Sequence, residues 1–146
     1  MKRIVVLFIV MSLIGFYAVN SYSAAEKDPT APRVPADQIA AAKAMKNPVA
    51  STPANIAKGK EMFTGKATCF TCHGEGGAGD GPAGAALDPS PRNFLNAKFH
   101  AAKTDGELFW VIKNGSAGTG MISYVPSVIT EQEAWEIITF ERSLKK

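Results

Sequence analysis

The chain has 146 residues, of which 46% are hydrophobic and 20% are charged. This balance excludes disorder throughout and is typical of one modest globular domain. Lys and Arg exceed Asp and Glu by three, but no basic stripe with interleaved aromatic residues follows the first 25 residues. The charge pattern therefore argues against nucleic-acid binding.

Residues 1–25 have the pattern of a secretory signal peptide. Lys2 and Arg3 precede the nearly continuous apolar residues 4–19, and small residues follow up to Ala25. The apolar run is shorter than the roughly 20 residues of a membrane-spanning helix, so membrane attachment is expected only if this segment stays uncleaved. We predict export to the periplasm, or an equivalent compartment, and cleavage after Ser23 or Ala25. Cleavage after Ala25 leaves a formal charge of +1.

Residues 26–51 are rich in Ala and Pro, and we interpret them as an N-terminal arm in which only residues 37–45 have a helical pattern. Such an arm either docks a partner or serves as a linker. Residues 52–146 are then left as the folded domain.

Three capped helices are predicted in that domain. The first begins at Thr52-Pro53 and ends at Gly65. The other two open with the Thr-x-x-Glu capping boxes at 104–107 and 130–133. No alternating strand pattern occurs, so the predicted fold class is all-α. Residues 74–103, rich in Gly and Pro, form a connection too long for a small helical domain unless it wraps a bound group.

The only two cysteines lie in Cys69-Phe70-Thr71-Cys72-His73. This spacing is typical of covalent c-type haem attachment. Each thiol adds to one vinyl group of the porphyrin, and the adjacent His73 becomes the proximal ligand of the haem iron. Export agrees with this prediction, because the attachment takes place outside the cytoplasm.

Three other interpretations of the two cysteines compete with haem attachment. A disulfide between Cys69 and Cys72 would close a very small loop and stabilise little. A thioredoxin-like redox pair needs a βαβ context that the sequence lacks. A zinc site needs about four ligands, and beyond the motif the chain offers only His100 and carboxylates.

The second axial ligand decides between electron transfer and chemistry at the iron. Met121 follows His73 by 48 residues, in a Gly-rich loop long enough to reach the far face of a haem. Met62 is expected to fill the core, and Met45 lies in the arm. His100 is the rival ligand, and a His/His pair would lower the reduction potential relative to His/Met.

The chain resembles the monohaem class I cytochromes c of bacterial periplasms over residues 57–144. Residues 57–63 are similar to the family's first helix, residues 79–94 to its haem-wrapping loop, and residues 109–121 to its third helix and methionine loop. The resemblance implies three to five helices around one covalent haem c, with Met121 as the distal iron ligand.

The resemblance also implies finer roles. Gly59 on the first helix is expected to meet Phe140 where the first and last helices cross, and Pro82 to supply the backbone carbonyl that orients His73. Candidates for contacts with the haem propionates or haem edge are Arg92, Trp110 and Tyr124. One departure is Ile122, since many relatives have proline directly after the methionine.

The sequence therefore predicts a non-enzymatic electron carrier of a respiratory chain, docking transiently with redox protein partners as a monomer. The alternative is a cytochrome subunit of a larger complex that oxidises or reduces nitrogen or sulfur compounds. A gas-binding or peroxidatic haem protein with an open iron position is a third hypothesis, which the placement of Met121 disfavours.

Overall fold

The backbone folds into helices joined by long loops. The computed structural model describes residues 28–146, so the predicted signal peptide lies outside the described residues. Six helices and no strands occur within 28–146: α1 (Ile39–Ala44), α2 (Pro53–Thr64), α3 (Phe70–His73), α4 (Ala97–Ala102), α5 (Asp105–Asn114) and α6 (Glu131–Ser143). None of these six helices is both long and apolar enough to cross a membrane. The all-α prediction is confirmed.

The caps explain where the three longest helices begin. The Thr52 side chain accepts a hydrogen bond from the backbone of Asn55 at the start of α2. Both predicted capping boxes form, with Thr104 paired to Glu107 and Thr130 paired to Glu133. Each box satisfies two backbone N–H groups that a helix otherwise leaves without an intrahelical partner.

The helices α3 and α4 were not predicted. Both are short, with four and six residues, and so give no repeating apolar pattern to read. The helix α4 interrupts the segment 74–103 that we expected to be a continuous connection. Its N-cap is Asn96, whose side chain accepts from the backbone N–H of Lys98.

The helices α2 and α6 cross at Gly59. A β-carbon there would overlap the backbone carbonyl of Glu136 and lie 2.9 Å from Cβ of Phe140. Next to the crossing, the rings of Phe63 and Phe140 meet edge to face with centroids 5.3 Å apart. The expected meeting of Gly59 with Phe140 is confirmed, and it brings the segment after α2 against the last helix.

Gly59→Ala is expected to destabilise the protein by about 1–3 kcal/mol, because the added methyl group forces two packed backbones apart. This loss outweighs the higher helix propensity of alanine. Urea unfolding of the holoprotein measures the change. The matched control is Gly76→Ala, whose β-carbon meets nothing within 4 Å. Equal stability of Gly59→Ala and the wild type would contradict the close crossing.

Residues 28–51 pack on the helical domain. The helix α1 lies so close to α5 that a β-carbon on Gly106 would overlap the carbonyl oxygen of Ala42. After α1, the Asn47 amide donates to the carbonyl of Trp135 and to the hydroxyl of Thr139, at 3.2 and 3.0 Å. These contacts hold the segment against α5 and α6.

Candidate functional site

A cavity lies between α3, α5, α6 and the loops after α3 and α5. The space in and in front of it is about 1150 Å³ when the open solvent at its mouth is included. Four residues named from the sequence lie in its wall: Cys69, Cys72, His73 and Met121. The first three belong to one five-residue motif, and the fold brings Met121, 48 residues after His73, to the same cavity.

One helical turn places the motif on the cavity wall. Cys69 is the N-cap of α3, and its carbonyl accepts from the N–H groups of Cys72 and His73 at 3.2 and 2.9 Å. Residues three and four apart on a helix share one face. The two thiols and the imidazole therefore line the same side of the cavity.

The His73 ring is held in a fixed orientation. Its Nδ1 lies 3.0 Å from the carbonyl oxygen of Arg92, so the Nδ1–H donates. The ring stacks on Phe94, with centroids 4.6 Å apart and planes at 19°. Burial lowers the pKa of His73, and the bond to Arg92 opposes this only in part. In a neutral imidazole whose Nδ1–H is already hydrogen-bonded, Nε2 is the atom that could bind a metal ion.

The expectation that Pro82 supplies this carbonyl is wrong, since Arg92 supplies it. Residues 79–84 instead fold back on the end of α3. The N–H groups of Gly79 and Gly81 donate to the carbonyls of His73 and Cys72 at 2.8 and 3.1 Å. This loop thus binds the backbone of α3, while the later part of the connection passes beside the imidazole.

Backbone contacts hold Met121 in the wall of the cavity. Its N–H donates to the Thr119 hydroxyl at 3.1 Å, and its carbonyl accepts from the N–H of Ser116 at 2.9 Å. The loop begins at Gly115, which has φ of 77°, a backbone conformation that favours glycine. Ile122, at the position where many relatives have proline, is 62% exposed.

The rival ligands lie elsewhere. His100 is absent from the cavity wall, and both of its ring nitrogens have neighbours: Nε2 lies 2.6 Å from the carbonyl of Phe94 and Nδ1 lies 3.0 Å from Arg142. Met45 and Met62 pack against the hydrophobic core. Among the described residues, Met121 is therefore the one methionine in the wall.

Two of the three candidates for contacts with the haem edge line the cavity, and the third does not. Arg92 and Tyr124 line the cavity, and burial raises the pKa of the Tyr124 hydroxyl. Trp110 does not line it, and its indole N–H donates to the side chain of Gln38 in the segment before α1. The expectation for Trp110 is wrong because it faces the packed N-terminal segment.

Glu141 is a cavity residue that sequence reasoning missed. It is 5% exposed and lines the cavity, and within residues 28–146 no donor hydrogen-bonds its carboxylate. Burial raises its pKa to about 8; Arg142 opposes this rise and Asp105 adds to it. The sequence feature that indicates the burial of Glu141 is its position on the apolar side of α6, beside Ile137 and Ile138.

The competing interpretations of the cysteines have little structural support. Both cysteines are free thiols, and burial raises the pKa of Cys69 to about 12, whereas the thiols of a thioredoxin-like redox pair have a lowered pKa. No group of three His, Cys, Asp or Glu residues within 28–146 is arranged to hold a metal ion. Two thiols, a neutral imidazole and a thioether around one largely apolar cavity fit a covalently attached haem.

Comparisons with known proteins agree with this fit. Residues 54–140 match the family model described as cytochrome C oxidase, cbb3-type, subunit III. The chain is similar to a solved chain of the Kuenenia stuttgartiensis reducing HAO-like protein complex Kustc0457/Kustc0458, with 28% identity and a TM-score of 0.59. That similarity covers 68% of this chain and 47% of the other, so this chain spans about half of its length.

A second solved structure, the KustC0563 c-type cytochrome, is 24% identical with a TM-score of 0.49, over 60% of this chain and 98% of that one. No curated protein matches the chain.

Proposed function

Because the chain belongs to the family described as cytochrome c oxidase, cbb3-type, subunit III, we propose that it is a periplasmic carrier that passes single electrons between redox proteins. Membership makes it an electron-transfer cytochrome c that holds haem c and its iron covalently. To this family assignment our proposal adds the periplasmic location, the residues that bind the iron, and the free state of the carrier outside any stable complex. The observation that carries it is that Cys69, Cys72, His73 and Met121 line one cavity.

We propose a distinct role for each of these residues. Cys69 and Cys72 form the two thioether bonds, and His73 and Met121 are the proximal and distal iron ligands. The iron, when bound, supplies a couple that exchanges one electron. The carbonyl of Arg92 keeps His73 in one tautomer and one orientation, and the Met121 loop excludes small ligands from the distal side.

The remaining parts of the chain fit a carrier exported from the cytoplasm. We propose residues 1–25 as the export signal and residues 52–146 as the haem-binding domain. The formal charge of +1 expected after cleavage, with about two carboxylates added by a haem, leaves the protein near neutrality. Strong electrostatic steering toward one highly charged partner is therefore not expected, and the complexes should be weak and transient.

A redox titration of the purified holoprotein tests the carrier proposal. We expect a single Nernstian transition of one electron, reversible in both directions. We also expect the protein to elute as a monomer at low and at high salt. A monomer that turns over a small substrate without a second redox protein would contradict the carrier role.

The second candidate is a cytochrome subunit of a larger oxidoreductase complex. It is favoured by the 28% identity to a chain of a reducing HAO-like protein complex, and by the packed N-terminal segment, which adds surface beyond the domain. Co-purification of a large partner that persists at high salt would select this candidate. Loss of every partner at high salt would select the free carrier.

Glu141 is expected to make the reduction potential depend on pH. Its pKa of about 8 means that it is largely protonated at neutral pH. The charged groups that act on it are Arg142 on α6, which lowers its pKa, and Asp105 on α5, which raises it. Oxidation adds a positive charge to the iron, and this charge favours the deprotonated carboxylate of Glu141. The reduction potential should therefore fall as pH rises through the region near 8. The ceiling is about 59 mV per pH unit for one proton per electron.

Glu141→Gln should flatten this dependence, because an amide does not titrate in this range. The matched control is Glu131→Gln, at the exposed start of the same helix. Potentials measured between pH 6 and pH 10 give the comparison. An unchanged slope in Glu141→Gln would assign the dependence to another group.

A further inference from the structure

Residues 28–34 pass along one side of the cavity, where they meet two basic side chains of its wall. We propose that this segment, which we call the strap, completes the haem crevice and that its Arg33 binds a carboxylate of the haem. The proposal rests on the proposed haem-binding function. It assigns a binding role to a segment outside residues 54–140, which match the family model.

The strap forms part of the cavity wall. Val34 and Arg33 both line the cavity. Val34 is 6% exposed, as buried as a core residue, and Arg33 is half-buried. An apolar side chain in the wall excludes water from a bound group, and Arg33, the residue directly before it, supplies a positive charge to the same wall.

Two cations of the wall hold the strap by its backbone. The guanidinium of Arg92 donates to the carbonyls of Asp28 and Ala31 at 2.6 and 3.1 Å. The Lys103 ammonium donates to the carbonyl of Thr30 at 2.8 Å. Both basic residues also line the cavity. Three charge-assisted hydrogen bonds within four residues fix the position of the strap.

Arg33 differs from these two cations because its charge is uncompensated. Within residues 28–146, no hydrogen bond or ion pair involves its guanidinium. Of the two acids in the wall, Glu107 and Glu141, Glu107 accepts hydrogen bonds from the Thr104 cap and lies 3.9 Å from the Lys103 ammonium. The guanidinium of a half-buried, cavity-lining arginine is suited to a planar, bidentate carboxylate partner. A haem brings two carboxylates to its crevice, and neither thioether formation nor iron ligation uses them.

Arg92 links the strap to the iron ligand. Its guanidinium binds the strap, while its carbonyl accepts from His73 Nδ1. A strap seated on the haem carboxylates therefore also steadies the residue that orients the imidazole. This connection explains why a segment remote in sequence from the haem motif should affect the iron.

The test compares reduction potentials of Arg33→Gln and Lys46→Gln holoproteins. Each variant loses one positive charge from the N-terminal segment, but Lys46 is exposed and outside the cavity wall. Loss of a cation beside the haem favours the oxidised state. We expect Arg33→Gln to shift the reduction equilibrium threefold to tenfold toward oxidation, a drop of about 28 to 59 mV at 59 mV per tenfold. Lys46→Gln should shift it less than 1.5-fold.

Two further measurements distinguish a failure of the strap proposal from a failure of the proposed haem-binding function. Arg33→Lys keeps the charge but loses the paired geometry, so it should recover at least half of the shift. Covalent haem content per chain should stay unchanged in all three variants, because Arg33 makes no hydrogen bond or ion pair whose loss would unfold the protein. Equal potentials in Arg33→Gln and Lys46→Gln would overturn the strap proposal. Absence of haem from the wild type would instead overturn the proposed function.

Discussion

Replacing Cys72 or His73 with alanine should abolish formation of the haem-containing protein. Both side chains line the cavity, and the turn of α3 places them on one face with Cys69. Under the proposed assignment, Cys72→Ala removes one of the two attachment bonds and His73→Ala removes the proximal iron ligand. Loss of groups that merely support a metal ligand costs about 10- to 100-fold, so we expect a larger deficit here.

The measurement is haem content per polypeptide, from the absorbance of the reduced pyridine complex and from haem staining after denaturing electrophoresis. Thr71→Ala is the matched control, because it lies between Cys69 and Cys72 and its hydroxyl bonds only the backbone of Thr68. This control should retain normal haem content. Near-normal red protein from both Cys72→Ala and His73→Ala would refute covalent attachment at this motif.

Replacing Met121 with leucine should open the distal iron position. Leucine keeps nearly the same volume in the wall but has no thioether. The far-red sulfur-to-iron charge-transfer band of the oxidised protein should disappear. The reduction potential should fall on the order of 100 mV, because thioether ligation favours reduced iron and axial ligands govern a range of about 0.8 V.

Met62→Leu is the control for this change. Met62 packs against the core and is absent from the cavity wall, so its replacement should leave the far-red band and the potential unchanged. Carbon monoxide should bind the reduced Met121→Leu protein and not the reduced Met62→Leu protein. A far-red band that persists in Met121→Leu would assign the distal position to another residue.

The parts of the fold that depend on short-range chemistry could be predicted from the sequence. The Thr104 and Thr130 capping boxes involve residues three apart, and each begins a helix where expected. The Cys-x-x-Cys-His motif is equally local, since one helical turn brings its three functional side chains to one face. Gly59 was predictable through the resemblance, because only a missing side chain permits so close a crossing.

The features that depend on distant parts of the chain could not be predicted. The carbonyl that orients His73 comes from Arg92, 19 residues away, and a backbone carbonyl has no signature in the sequence. The packing of Asn47 on α6 joins residues about 90 apart. Glu141 is buried because its helix turns it toward a cavity, and a single acidic residue in an amphipathic helix is otherwise typical of a solvent-exposed face.

The central claim is that the chain holds a covalent haem whose iron is bound by His73 and Met121. This iron transfers electrons and does not bind a substrate. Optical spectra of the protein, expressed as the full chain together with haem-maturation machinery, test this claim most directly. The oxidised and reduced states should be compared with and without carbon monoxide. We predict sharp reduced bands, a weak far-red band in the oxidised state and no response to carbon monoxide. A reduced spectrum that shifts with carbon monoxide would contradict the claim and indicate an open iron suited to gas binding or peroxidase chemistry.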